Sequence, residues 1–172
     1  MNDNNKEHLI PAYEKMMTRV EQTQKTATTK KSLRQHIESA TEAAVQLEEL
    51  TREEAERIGD YLRRDLHNAA EFIVTTERAL ADWMRFDLTL IEQPLLNMFS
   101  LMVDQTQLEL ENLAESARLA TEWNSGEIVG LGTLYCENCN HALHFHQPDY
   151  IPACPNCGAT QFRREINENE AE

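Results

Sequence analysis

All four cysteines of this chain of 172 residues lie in its last quarter, as two Cys-x-x-Cys pairs. The pairs are Cys136 with Cys139 and Cys154 with Cys157, and fourteen residues separate them. Thiolates three positions apart can bind one side of a metal ion from a single tight turn, and a second such turn completes a tetrahedral shell of sulfurs. The spacing therefore predicts one metal site that contains all four cysteines, with one structural Zn²⁺ as the expected ion.

The residues around the cysteines fit two such turns. Gly158 follows the second pair directly, and Asn140 has the same place after the first pair. Glycine adopts a positive φ without steric cost, and asparagine tolerates it better than most residues. We therefore expect a left-handed residue at both positions, so that backbone N–H groups face the sulfurs.

A shell of four thiolates leaves no position on zinc for water, so we expect no hydrolytic chemistry at the ion. Two alternatives stay open at this point. Iron could occupy the same sulfurs, as in a rubredoxin-like electron carrier, and oxidation of the thiols could release zinc in a redox or zinc-responsive regulator. No nucleophile, base and orienting group can be assembled from other motifs, so we predict no catalytic residues and no enzyme.

His141, His144 and His146 lie between the two cysteine pairs. They could bind a second metal ion, or one of them could replace a cysteine. Because the sulfur set is already complete, we interpret these histidines as part of a polar strand face in water.

The net charge of −14 comes from 30 acidic and 16 basic side chains. Nucleic-acid binding needs a basic surface, because release of counterions supplies much of the affinity. Such binding is therefore disfavoured, and its remaining route is a local patch formed by Arg163, Arg164 and Tyr150 with the histidines. The acidic charge favours basic protein partners instead.

Other charged residues are interpreted as surface positions. Asp65, Asp82 and Asp104 fall in helical stretches and are expected to lie on solvated faces. Arg63 and Arg64, beside Asp65, are expected to form a surface cluster with it.

The first residues are polar and show no secretory signal, and no run of about 18 apolar residues is present. We therefore expect a cytoplasmic protein that does not enter a membrane. In a reducing cytosol, paired Cys-x-x-Cys motifs favour metal binding over disulfides.

The distribution of glycine and proline divides the chain. Residues 1–125 contain one glycine and two prolines, whereas residues 126–172 contain four glycines and three prolines. Helix interiors exclude both residue types. We predict a helical bundle or coiled-coil region at 1–125, a zinc ribbon at 126–164 and a disordered acidic tail at 165–172.

Three stretches of the first region have a helical pattern. Residues 6–50 contain apolar residues at helical spacing with one phase shift, so they form one helix with a stutter or two helices. Thr51 and Glu54 have the spacing of a capping box, which predicts a helix start. From residue 76 to 123 the pattern is helical again, and Pro94 either begins a helix or kinks one.

The segment 88–103 is apolar almost all round, so we predict that it is the most buried helix. The fold class is therefore mainly α, with a long antiparallel helical hairpin or bundle followed by a small C-terminal β zinc ribbon. Long apolar seams between helices favour self-association, so a homodimer through the helices is left open as one assembly.

Three strands are predicted in the ribbon. Residues 130–135 lead into the first cysteine pair with glycine kinks, residues 142–146 alternate apolar and polar side chains, and residues 161–164 complete the sheet. Because the ribbon has few apolar residues, we expect metal binding to be coupled to its folding.

The segment Ser-Gly-Glu-Ile-Val-Gly-Leu-Gly-Thr-Leu-Tyr-Cys at 125–136, with Cys-Pro-Asn-Cys-Gly at 154–158, resembles the bacterial zinc-ribbon-containing, YbeL-like proteins. Residues 50–54 and 62–66 resemble the helical part of the same family. The resemblance covers about residues 45 to 164. It implies a cytoplasmic bacterial protein whose metal ligands are Cys136, Cys139, Cys154 and Cys157. The family has no established activity, so the resemblance implies none.

These observations favour a zinc-binding, non-enzymatic interaction or adaptor protein, with the ribbon as the docking part. The alternatives are a nucleic-acid-binding ribbon and a redox or zinc-responsive regulator.

Overall fold

The computed structural model describes residues 6–29, 31–112 and 122–164. Five α-helices are present there: α1 (Leu9–Thr26), α2 (Leu33–Gln46), α3 (Arg52–Thr76), α4 (Leu80–Met84) and α5 (Gln93–Asn112). The predicted tail at 165–172 lies outside the described residues, as does the predicted helical stretch at 113–121.

Six short strands follow in the described C-terminal part: β1 (Trp123–Asn124), β2 (Ile128–Val129), β3 (Gly132–Cys136), β4 (Ala142–Phe145), β5 (Asp149–Tyr150) and β6 (Gln161–Arg163). They form an antiparallel sheet of order β1-β6-β3-β4 and an antiparallel pair, β2 with β5. The three predicted strands correspond to β3, β4 and β6. Sequence reasoning missed the other three because each has only two residues.

The N-terminal stretch forms two helices, which decides the question that its phase shift leaves open. Ser32 begins α2 with a capping box, in which its side chain accepts from the N–H of Gln35 and its own N–H donates to the Gln35 side chain. The helices run antiparallel, since Thr23 in α1 contacts His36 near the start of α2 while Lys15 contacts Glu49 beyond its end.

Helix α3 begins at the predicted capping box. The Thr51 oxygen accepts from the N–H of Glu54 at 3.2 Å, and the Glu54 carboxylate accepts from the N–H of Thr51 at 2.9 Å. Gly59 lets α2 approach closely, because a Cβ there would lie 3.0 Å from Thr41 Oγ1.

The long helices α1, α2, α3 and α5 contact one another in every pairing, so they form a bundle rather than a hairpin. The predicted fold class, mainly α with a small C-terminal β region, is confirmed. Within the described ranges, none of the helices has both the length and the apolar content needed to cross a membrane.

The helical pattern predicted from residue 76 is interrupted before α5. Glu77 (φ 56°) follows α3 as its C-cap, Arg85 (φ 60°) follows α4 as its C-cap, and a 3-10 turn at Leu88–Leu90 precedes α5. Pro94 is the second residue of α5, so it begins this helix rather than kinking one. The segment 88–103 is not buried all round either, because Leu90 is 58 % exposed and Leu101 is 47 % exposed.

The helical core continues into the β region. Ile128 and Leu131 pack in the same cluster as the bundle, whereas a second cluster forms the interior of the ribbon from Trp123, Val129, Leu134, Cys136, Phe145, Ile151, Cys154 and Phe162. Strand β1, at residues 123–124, pairs with β6 of the ribbon sheet, although it precedes the predicted start of the ribbon at residue 126. The domain boundary near residue 125 stays a prediction.

The capping box of α3 can be tested by Thr51→Ala. Loss of an N-cap costs about 1 kcal/mol, so the free energy of unfolding in urea should fall by about that amount. Ser39→Ala is the matched control, since it removes a hydroxyl from an exposed position inside α2 and should leave stability unchanged or slightly raised. Equal losses in both variants would contradict the role of the cap.

Candidate metal centre

The two cysteine turns, residues 136–141 and 154–159, have the same backbone hydrogen bonds. In the first, the carbonyl of Cys136 accepts from the N–H of Asn140 at 3.0 Å, and in the second the carbonyl of Cys154 accepts from the N–H of Gly158 at 2.8 Å. Asn140 has φ 59° and Gly158 has φ 76°, so the prediction of a left-handed residue at both positions is confirmed. Each turn therefore places its two sulfurs on one side of the candidate metal site.

The structure brings all four sulfurs together, with every pair within 4.8 Å. The Sγ atoms are 3.5 Å apart between Cys136 and Cys157 and 3.6 Å apart between Cys139 and Cys154. Sulfurs bound to zinc at about 2.3 Å in a tetrahedron lie about 3.8 Å apart. A disulfide would need about 2.05 Å. The donor set therefore fits one tetrahedral metal ion.

Two asparagines link the turns across the site, and sequence reasoning missed them. The side chain of Asn138, in the first turn, donates to the sulfur of Cys157, and this is the main reason that the pKa of Cys157 is lowered to about 6. In the second turn, the side chain of Asn156 donates to the sulfur of Cys139 and lowers its pKa. The sequence signal for these asparagines was that each Cys-x-x-Cys motif has an asparagine directly before its second cysteine.

The four thiols differ in burial. Cys136 is fully buried, and burial is the main reason that its pKa is raised to about 11, although the N–H groups of Cys139 and Asn138 oppose that rise. Cys157 is exposed. Donors that point at sulfur favour the thiolate, which is the form that binds metal.

Strand β6 holds the first cysteine turn in place through Arg163. Its guanidinium donates to the carbonyl of Cys136 at 3.2 Å, pairs with the Glu137 carboxylate at 3.2 Å and donates to the side chain of Asn140. At Arg163, the basic patch predicted on the ribbon is therefore used for contacts within the ribbon.

Asp65 corrects the largest error of the sequence analysis, because it is fully buried rather than solvated. Its Oδ2 accepts from the Tyr13 hydroxyl at 2.9 Å and from the N–H of Gly130 at 2.8 Å. Its Oδ1 accepts from Trp123 Nε1 at 3.1 Å and from Arg164 Nη2 at 3.2 Å. These residues, together with Arg64, are called the Asp65 cluster below.

The Asp65 cluster joins the bundle to the ribbon. Arg164 also donates to the carbonyl of Leu131 at 3.0 Å, and its guanidinium lies over Trp83 at 4.4 Å and over Trp123 at 5.2 Å. Burial lowers the pKa of Arg164, and the Asp65 carboxylate opposes that shift. Burial, reinforced by Asp65, raises the pKa of Tyr13 well above its ordinary value, so Tyr13 is a neutral donor here.

Arg64 is the second buried arginine, so the predicted surface cluster is wrong at this residue too. It pairs with Glu127 at 2.6 Å and donates to the carbonyl of Ile128 at 3.2 Å. Only Arg63 behaves as predicted, in a surface pair with Asp60. The two buried arginines are thus balanced by the carboxylates of Asp65 and Glu127.

The glycines of the lead-in make room for this cluster. A Cβ on Gly130 would lie 2.7 Å from the Tyr13 hydroxyl, and a Cβ on Gly132 would collide with the Arg164 guanidinium and lie 3.0 Å from Trp83. Gly132 also has φ 115°, a backbone angle that residues other than glycine rarely adopt. The Gly-Leu-Gly motif is therefore needed at the contact between bundle and ribbon.

Other predicted residues have modest roles. His144 is exposed, as predicted for a polar strand face, and its Nδ1 contacts the Thr133 hydroxyl at 2.8 Å. Among the described residues, groups of three or more ligands that could hold a metal are limited to the four cysteines. Asp82 accepts from the N–H of Ala79 at the start of α4, and Asp104 is exposed as predicted. Tyr150 donates to the carbonyl of Lys6.

The fold and site together define a helical bundle that carries a four-cysteine ribbon. The sequence model of a family described as zinc-ribbon containing domain matches residues 18–166, so the chain belongs to that family. Over 133 residues it is 34 % identical to the uncharacterized protein YbeL of Escherichia coli strain K12. The matched segment covers 74 % of this chain and 79 % of the relative. The same values hold for the protein of that name from strain O157:H7. No solved structure matches.

The close approach at Gly130 can be tested with a double-mutant cycle. Gly130→Ala should destabilise the protein by about 1–3 kcal/mol, because the added methyl group overpacks against the Tyr13 hydroxyl. Tyr13→Phe should cost about 1–3 kcal/mol, because Asp65 loses a donor. The double variant should cost less than the sum, since removal of the hydroxyl makes room. Urea denaturation of the four proteins measures this, and additive costs would contradict the contact.

Proposed function

We propose that Cys136, Cys139, Cys154 and Cys157 bind one structural Zn²⁺ and that the protein acts by binding other molecules rather than by catalysis. The observation that carries the proposal is the arrangement of the sulfurs, whose separations of 3.5 and 3.6 Å fit one tetrahedral shell. Four thiolates complete that shell, so no position remains for water or substrate. The ion would stabilise a ribbon whose own core is small.

Metal content tests this proposal directly. Elemental analysis of the purified full-length protein should give one zinc per chain, and Cys154→Ser/Cys157→Ser should abolish binding because only two thiolates remain. Asp60→Asn is the control, since Asp60 lies in an exposed surface pair on α3. Iron in place of zinc, with the visible absorption of an iron–thiolate complex, would contradict the choice of ion. An empty site would contradict the proposal itself.

The proposed role is that of an adaptor in the cytoplasm, where reduced thiols remain available for zinc. The outer residues of the cysteine turns support it, because Glu137, Asn138, Pro155 and Asn156 are exposed. The net charge of −14 favours a partner with a basic surface. Direct nucleic-acid binding is not proposed, because Arg164 is buried against Asp65 and Arg163 pairs with Glu137. Self-association through the helices remains a prediction.

Affinity capture tests the adaptor role. Full-length zinc-loaded protein should capture a basic partner, and capture should weaken as salt rises from low to physiological concentration because exposed charges are screened. Cys154→Ser/Cys157→Ser should capture much less, whereas Asp60→Asn should behave like the natural protein. Equal capture by the cysteine variant would place the docking surface outside the ribbon.

A further inference from the structure

Two consecutive arginines join the candidate metal centre to the helical bundle. Arg163, the last residue of β6, contacts the first cysteine turn through the carbonyl of Cys136 and the side chain of Glu137. Arg164 contacts Asp65 of α3. Successive side chains of an extended chain point to opposite faces. The end of β6 is therefore held by the metal-binding turn on one side and by the bundle on the other.

The position of β6 depends on both cysteine turns. The strand begins two residues after the end of the second turn, and the carbonyl of Gln161 accepts from the N–H of Glu137 in the first turn at 3.0 Å. An ion bound to all four sulfurs would tie the two turns together. Since the ribbon core is small and metal binding of this kind is coupled to folding, loss of the ion should loosen both turns and β6 with them.

Loosening of β6 would act on a buried charge. Asp65 is fully buried, and withdrawal of Arg164 would leave Arg64, whose Nε lies 3.6 Å from Oδ1, as the cation beside its carboxylate. Removal of a hydrogen-bonded partner from a buried charge is destabilising, and the Arg64 Nε is too far from Oδ1 to replace that hydrogen bond, so Asp65 would have to become hydrated. Intermediate positions of Arg164 are therefore unfavourable, and the contact has two states, closed or open to water.

We propose that metal occupancy controls the docking of the ribbon on the helical bundle. With the ion bound, Arg164 lies against Asp65 and the ribbon covers this face of α3 and α4. Loss of the ion releases Arg164, and the ribbon separates from that face. The inference rests on the proposed zinc binding and adds a regulation to it. Because coupling between two equilibria is reciprocal, closure of the Asp65 cluster raises the affinity for the ion by the same factor.

The tryptophans provide a direct probe of the closed state. The chain contains two, Trp83 and Trp123, and both contact the Arg164 guanidinium. A chelator would be titrated into the full-length zinc-loaded protein, with released zinc measured by a colorimetric indicator and tryptophan emission recorded in parallel. Emission should shift to the red in step with zinc release, while most of the helical circular dichroism remains.

Two results of this titration are distinct. Release of zinc without a change in tryptophan emission would overturn the coupling while leaving the proposed zinc binding intact. Absence of zinc from the protein at the start would contradict the proposed function, and with it the inference.

Variants of the Asp65 cluster test the reciprocal effect. Asp65→Asn keeps the shape of the side chain and touches none of the sulfurs, yet zinc affinity should fall by about fivefold or more, the lower end of typical coupling. Asp60→Asn, on the exposed face of the same helix, should leave zinc affinity unchanged.

A milder variant covers the case in which Asp65→Asn does not fold. Tyr13→Phe removes one donor to Asp65 and leaves the charge pair with Arg164 in place. Its zinc affinity should fall in the same direction by a smaller factor. A folded variant of either kind that binds zinc as tightly as the natural protein would show that the cluster is merely structural and would overturn the proposal.

Discussion

The carboxylate of Asp65 is the constraint on which the contact between bundle and ribbon depends. It accepts four hydrogen bonds, from the hydroxyl of Tyr13, the N–H of Gly130, the indole of Trp123 and the guanidinium of Arg164. An ionised carboxylate offers about four acceptor sites, so its capacity is filled. The donors come from α1, from β1, from the lead-in to β3 and from the end of β6. One buried charge therefore fixes the relative positions of four segments.

Several features that look unrelated in sequence follow from this constraint. The Gly-Leu-Gly motif is needed because side chains at Gly130 and Gly132 would occupy the space of Tyr13 and Arg164. The short helix α4 turns Trp83 towards Arg164, and its Met84 carbonyl accepts from the Thr133 hydroxyl of β3 at 2.6 Å. Breaking a buried ion pair typically costs about 3–5 kcal/mol, a large part of the stability of a small protein.

Local signals in the sequence predicted the elements but not their contact. The capping box of Thr51, the helix start at Pro94 and the left-handed Asn140 and Gly158 each depend on neighbours within a few residues. The end of α4 was missed because the left-handed residue there is Arg85 rather than glycine. Asp65 was misjudged because its partners Tyr13 and Arg164 are 52 and 99 residues away in sequence. Because Asp65 follows Arg63 and Arg64 in a charged run, the local sequence indicates a surface position.

The chemistry of this contact also bears on the proposed adaptor role. A wholly apolar interface of the same size would expose a large apolar patch whenever the ribbon separated, and such patches promote association with other proteins. Asp65, Arg64 and Arg164 are charged side chains that water solvates well once the interface opens. Contacts between domains that move relative to each other are typically more polar than permanent interfaces. The buried charges thus define the closed state sharply, and in the proposed open state they would be solvated while Ile128 and Leu131 lose their apolar contacts with the bundle.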